Sequence, residues 1–182
     1  MSGERTPFSV GVIVLGGGAI VLTVSMLIGF LLPADWEASA TALIPAPAEV
    51  VFEHLDAPEA WREWTTWPDS GVMRDGPARG PGATLRWDDP EMGSGSFRIV
   101  EAHAPTRVDY LVEVGGGAMR TSGSVELAAE AAGVRVTWRE SGDLGRNPLM
   151  GFWALFMDRA QSAELAKGLD RLAQVVAATE GR

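Results

Sequence analysis

From Phe8 to Leu32 the chain carries no Asp, Glu, Lys, Arg, His, Asn or Gln, a run of 25 positions without a strongly polar side chain. Val12, Ile13, Val14, Leu15, Ile20, Val21 and Leu22 surround the helix this run would form, leaving no polar stripe to face water. As a helix it would be about 37 Å long, against about 30 Å of bilayer hydrocarbon. The pattern predicts a transmembrane helix over residues 8–32 behind a tail of residues 1–7. A cleaved signal ending near Ala38-Ser39-Ala40 is the competing reading, but cleavage there would remove part of the first strand. Arg5 precedes the run while Asp35 and Glu37 follow it, with Trp36 at an interfacial position. That asymmetry predicts a single-pass membrane protein with the bulk of its domain on the extracytoplasmic side.

Beyond the run the periodicity changes twice. Trp36 to Ile44 reads as a strand, stopped by Pro45-Ala46-Pro47. Pro47 suits the first turn of a helix whose apolar side is Val50, Val51, Phe52 and Leu55. Ala57-Pro58 ends it, and a second short helix covers Glu59 to Trp64. Pro68 to Gly82 is rich in turn residues. From residue 83 the period is two: Leu85/Trp87, Phe97/Ile99, Val108/Tyr110/Val112/Val114, Val125/Leu127 and Val134/Val136/Trp138 alternate with polar residues. Short linkers between such one-sided strands predict an antiparallel meander with one face covered. The cover begins at Pro148, where Leu165, Leu169, Leu172 and Val176 form a helical stripe. Gly168 interrupts this helix at a cost of about 1 kcal/mol relative to Ala, which points to close packing or a bend there.

Composition narrows the functional classes. The net charge is −9, with 24 acidic against 15 basic side chains, a field opposed to nucleic acid. With no cysteine, disulfides, thiolate metal sites and cysteine nucleophiles are excluded.

The order of elements resembles the START-like, or Bet v 1-like, superfamily, and within it the SRPBCC "polyketide cyclase/dehydrase" group. The resemblance rests on Ile44-Pro45-Ala46-Pro47-Ala48-Glu49-Val50-Val51-Phe52 and Trp61-Arg62-Glu63-Trp64. It continues in Gly80-Pro81-Gly82-Ala83-Thr84-Leu85-Arg86-Trp87, Gly93-Ser94-Gly95, Val136-Thr137-Trp138 and Phe156-Met157-Asp158, so that it spans residues 36–178. It implies an α+β helix-grip domain: an antiparallel sheet of about seven strands curved around a long C-terminal helix, with two short helices after the first strand. It also implies a cavity between sheet and long helix holding an apolar ligand. Trp64, Trp67, Trp87, Phe97, Tyr110, Trp138, Phe152 and Phe156 are the candidate lining, against the plain alternative that they fill a core.

The sequence offers no catalytic constellation, metal-ligand spacing or cofactor motif. His54 and His103 read as solvated surface, Ser94 and Ser96 as backbone geometry beside glycines, and Asp88, Asp89 and Glu91 as a turn. Glu101, Glu140 and Asp143 would act as bases only if desolvated. The expectation is a membrane-anchored binding protein for a lipid, isoprenoid or quinone, without nucleic acid or cofactor. The alternatives are a cyclase or dehydratase using the same cavity, and a ligand-free interaction module.

Overall fold

The computed structural model describes residues 7–32, 34–144 and 148–181, the side chains of 7–16, 148–151, 153–156 and 180 excepted. A helix α1 (Pro7–Leu31) precedes strand β1 (Asp35–Ile44), short helices α2 (Ala48–Glu53) and α3 (Pro58–Trp61), and strand β2 (Met73–Asp75). Five strands follow: β3 (Thr84–Asp89), β4 (Gly93–His103), β5 (Arg107–Val114), β6 (Met119–Glu130) and β7 (Gly133–Asp143). The long helix α4 (Pro148–Glu180) ends the fold.

The seven strands form one antiparallel sheet in the order β1-β7-β6-β5-β4-β3-β2. Consecutive strands from β2 to β7 are neighbours, as short linkers require. The exception is the step from β1 to β2, which lie at opposite edges. Residues 45–72 must therefore cross the sheet, and α2 and α3 lie on that crossing. Pro47 stands just outside α2 as its N-cap, in an extended conformation, while Pro58 occupies the first turn of α3, where no N–H is needed. β2 lies within the stretch that the sequence reads as turns. All three of its residues are exposed, so no burial period marks it.

The inward residues of the strands meet α4 through Leu165, Leu169, Leu172 and Val176, each at most 2% exposed. They share one core with Ile44, Val51, Leu55, Val125, Val134 and Val136. Of all the strands, α4 packs most extensively on the edge strand β1. There the Glu37 N–H donates to Asp158 Oδ1 at 3.1 Å and the Ser39 N–H to Ser162 Oγ at 3.3 Å. Two residues along a strand rise about 6.7 Å and four along a helix about 6 Å, so the two repeats run in step. At Gly168 the helix backbone packs tightly against the Trp138 ring of β7. A Cβ there would lie 2.6 Å from Cζ3 of Trp138, so close packing, and not a cap, accounts for this glycine.

The α+β sheet-and-helix architecture follows the sequence expectation, but the single-pass membrane location does not hold. Among the described residues no helix is long and apolar enough to cross a membrane. The expected extracytoplasmic placement of the domain falls with it. The predicted tail, residues 1–7, lies outside the described residues apart from Pro7.

Candidate functional site

A cavity of about 310 Å³ opens between the sheet and α4. Six aromatic residues line it: Trp61 from α3, Trp67 from the crossing segment, Trp87 from β3, Phe97 from β4, Tyr110 from β5 and Trp138 from β7. Period-two alternation brings the strand residues together, because each occupies an inward position in register with its neighbours. The rings meet edge to face or offset. Phe97 stacks on Tyr110 at 4.9 Å, Trp61 lies 4.8 Å from both, and Trp67 stands edge-on to Trp87 and Phe97 at 5.7 Å. Such geometry suits aromatic quadrupoles. On the helix side the cavity meets Gln161, Glu164, Leu165, Gly168 and Arg171. The Arg171 Nε–H donates to the Trp64 carbonyl at 2.8 Å, fixing that side chain beside the opening.

One polar cluster is set into this apolar wall. The Trp138 indole N–H donates to Tyr110 Oη at 2.6 Å, the Tyr110 hydroxyl donates to Glu140 Oε1, and the Gln161 amide donates to Glu140 Oε2 at 2.7 Å. Glu140 is 9% exposed and Tyr110 3%. Burial raises the Glu140 carboxyl above its usual range, an effect that the hydrogen bonds from Tyr110 and Gln161 only partly offset. Burial first, and then the Glu140 charge, push the Tyr110 phenol well above its usual range. The arrangement is a carboxyl that holds its proton more tightly than a solvated one, joined to a phenol, at the wall of an aromatic cavity. Chemically it can offer a proton or take one back.

Indole hydrogen bonds separate the tryptophans around the cavity. Trp61 Nε1 donates to the Leu55 carbonyl at 2.7 Å, Trp64 Nε1 to the His54 carbonyl at 3.3 Å, and Trp67 Nε1 to Thr65 Oγ1 at 2.7 Å. Trp87 Nε1 is buried and has no partner among the described residues. Leaving such a donor unsatisfied costs about 1–3 kcal/mol.

Of the residues that the sequence nominates, Trp67, Trp87, Phe97, Tyr110 and Trp138 line the cavity. Trp64 is 1% exposed and lies behind the lining, 4.5 Å from Trp61 and 5.2 Å from Trp138. Phe152 is half-buried in α4 and is not among the described lining residues, and the Phe156 side chain lies outside the described residues. His103 is exposed beside Glu101. Asp89 accepts the backbone N–H groups of Glu91 and Met92, which places that acid cluster in the service of a turn. Of the candidate bases, Glu101 stays largely exposed and Asp143 exposed, whereas Glu140 is desolvated.

Sequence reasoning left Trp61 and Gln161 out of the site and gave Glu140 no special place. The signals were present. Glu140 continues the inward series Val134, Val136, Trp138, a carboxyl where the period demands an apolar residue. Gln161 stands four residues before Leu165, at the head of the apolar stripe of α4. A polar residue on an apolar period marks a site more sharply than another aromatic does.

A seven-stranded antiparallel sheet gripping one long helix, with an aromatic cavity between them, defines a helix-grip protein. The chain belongs to the family described as "Polyketide cyclase / dehydrase and lipid transport", whose model matches residues 35–177. Its structure is similar to that of an uncharacterized protein from Rhizobium leguminosarum, at 22% identity and a TM-score of 0.56, covering 78% of this chain and 94% of that one. It is also similar to the protein of unknown function SA2116 from Staphylococcus aureus, at 12% identity and a TM-score of 0.63, covering 81% and 97%. The di-domain ARO/CYC BexL from the BE-7585A biosynthetic pathway matches at 17% identity and a TM-score of 0.55, covering 77% of this chain and 49% of that one. At these identities the likeness shows the fold alone. No curated protein matches the sequence.

Proposed function

We propose that this protein binds an apolar small molecule, of the lipid, isoprenoid or quinone class, in the cavity between the sheet and α4. The observation that carries this reading is the cavity of about 310 Å³ walled by Trp61, Trp67, Trp87, Phe97, Tyr110 and Trp138. Its volume falls at the lower end of the range of small-molecule pockets, and its lining combines apolar walls with few polar groups, as in such sites. A close-packed core has no need of so large a void, which forfeits dispersion contacts along its whole surface. Native mass spectrometry of the full chain, with solvent extraction of bound material, tests the reading. A co-purifying apolar molecule at near-equal stoichiometry supports it. A chain that emerges empty and takes up no apolar dye removes it.

A second reading, in which the cavity also carries out a cyclisation or dehydration, draws on one observation: Glu140 and Tyr110 line the same cavity as a buried, hydrogen-bonded carboxyl and phenol. A dehydration needs a proton delivered to a leaving hydroxyl in a water-poor site, and a carboxyl with a raised pKa meets that need. On this reading Glu140→Gln abolishes turnover of a β-hydroxy ketone while leaving its binding within about threefold. Unchanged turnover in the variant returns the cavity to binding alone.

A further inference from the structure

The polar cluster in the cavity wall is one-sided. The Trp138 N–H is used on Tyr110 Oη, the Tyr110 hydroxyl on Glu140 Oε1, and a Gln161 amide N–H on Glu140 Oε2. The donors run towards one carboxyl and end there. An ionised carboxyl has about four acceptor positions on its two oxygens, so acceptor capacity remains at Glu140 after both bonds are made. Glu140 occupies an inward position of β7, and both its partners, Tyr110 and Gln161, line the cavity with it. Charge is one-sided as well. Glu140 is 9% exposed, and none of the ion pairs among the described residues includes it. The other charged residues of the lining, Glu164 and Arg171, stand exposed at the rim, where Glu164 pairs with Lys167 at 2.6 Å and Arg171 is held by the Trp64 carbonyl. Buried carboxylates are normally matched by a cation, and the described residues supply this one with none.

Resting on the binding reading above, we propose that the apolar ligand of this cavity carries a protonated amine, and that Glu140 is the specificity-determining residue that receives it. An ammonium group only donates, so it meets the acceptor capacity and the unmatched charge of the carboxyl together. Burial holds the Glu140 carboxyl above its usual range, and a cation beside it acts in the opposite direction, favouring the ionised form. The aromatic lining suits such a guest, since the negative faces of π-systems attract a positive charge and aliphatic walls do not. The proposal narrows the ligand class. A lipid or isoprenoid bearing an amino group fits, whereas a quinone brings only acceptors to a cluster whose Trp138 and Tyr110 donors are already used. A carboxylate ligand would add a second negative charge to the same water-poor space.

The test uses a matched pair of probes, β-naphthylmethylamine and β-ethylnaphthalene, which share a shape and differ by an ammonium against a methyl group at neutral pH. Each is titrated into the full chain and its Glu140→Gln variant, with protein NMR shifts as the readout. The amine-to-hydrocarbon affinity ratio is expected to fall about tenfold in the variant, the worth of one hydrogen bond to a charged group. An unchanged ratio, or binding of the hydrocarbon alone to the wild-type chain, overturns the assignment while leaving the binding reading intact. Binding of neither probe to the wild-type chain removes the cavity reading and this assignment with it. Should the variant fail to fold, the wild-type protein supplies the second measurement. Nuclear Overhauser contacts are expected between the aminomethyl protons of the bound amine and the ring of Tyr110, the one tyrosine of the chain. Contacts from those protons to the rim residues alone overturn the assignment.

Discussion

The core has an aliphatic part and an aromatic part, and they are packed by different rules. Around Leu165, Leu169, Leu172 and Val176 the residues are branched, almost wholly buried and without polar atoms. Around Trp61, Phe97, Tyr110 and Trp138 the residues are flat rings that touch at edges, enclose about 310 Å³ of space and carry donors needing partners. Branched side chains interdigitate to crystal-like density, whereas rigid rings meet at angles and leave room between them. The difference teaches that dense packing and an open cavity occupy separate parts of one interface. Leu165 and Gly168, which belong to the helix and also face the cavity, mark the seam between them.

The comparison can be attacked from either side. The largest effect is expected from Leu172→Ala in the aliphatic part, a loss of about 2–5 kcal/mol in denaturant unfolding. The affinity of the folded fraction for an apolar probe should be unchanged, and a matching loss of affinity would break the separation. Next comes Gly168→Ala at the seam. Helix propensity alone favours this change by about 1 kcal/mol, but the added methyl meets Trp138, which is pinned by its bond to Tyr110. Overpacking wins, and a net loss of roughly 1–2 kcal/mol together with weaker probe binding is expected from unfolding and titration. A more stable variant that binds normally would show the contact to be soft.

Trp67→Ala reverses the pattern. Trp67 is only partly buried and lines the cavity, so probe affinity should fall roughly tenfold, about 1.4 kcal/mol, with little change in the unfolding midpoint. His103→Ala, on an exposed turn, should change neither and serves as the control.

The smallest effect is a slope. Because the folded Glu140 carboxyl titrates above its ordinary value of 4.5, the folded chain holds a proton that the unfolded chain has lost between that value and the raised one. Stability should therefore decline as pH rises through that window and level off above it. Glu140→Gln should flatten that part of the stability-against-pH curve, and an identical slope in the variant would show that Glu140 is solvated.

Legibility in the sequence followed the strength of each physical signal. β3 to β7 were readable because each has inward residues at period two, and α4 because its stripe recurs at spacings of three and four. β2 was hidden, since three exposed residues carry no period. Residues 8–32 read as a membrane span from their apolarity and length, whereas among the described residues no helix is long and apolar enough to cross a membrane. The aromatic content pointed to the cavity, but which face of a ring is open depends on its neighbours, and so Trp64 went behind the lining. Glu140 stood in plain view on an inward position. Its meaning waited on desolvation, which is a property of the assembled fold.

The side chains of Asp158 and Ser162 have a consequence beyond holding α4 in place. They occupy backbone donors on the outer edge of β1, the strand that ends the sheet and is ten residues long. The opposite edge, β2, is three residues long. An extended peptide, or the sheet of a second copy, needs a run of free edge groups on which to add itself. Here one edge is answered by a helix and the other is too short to template a strand, so this sheet is built to refuse company along its margins and keeps its one aromatic-walled opening on its face.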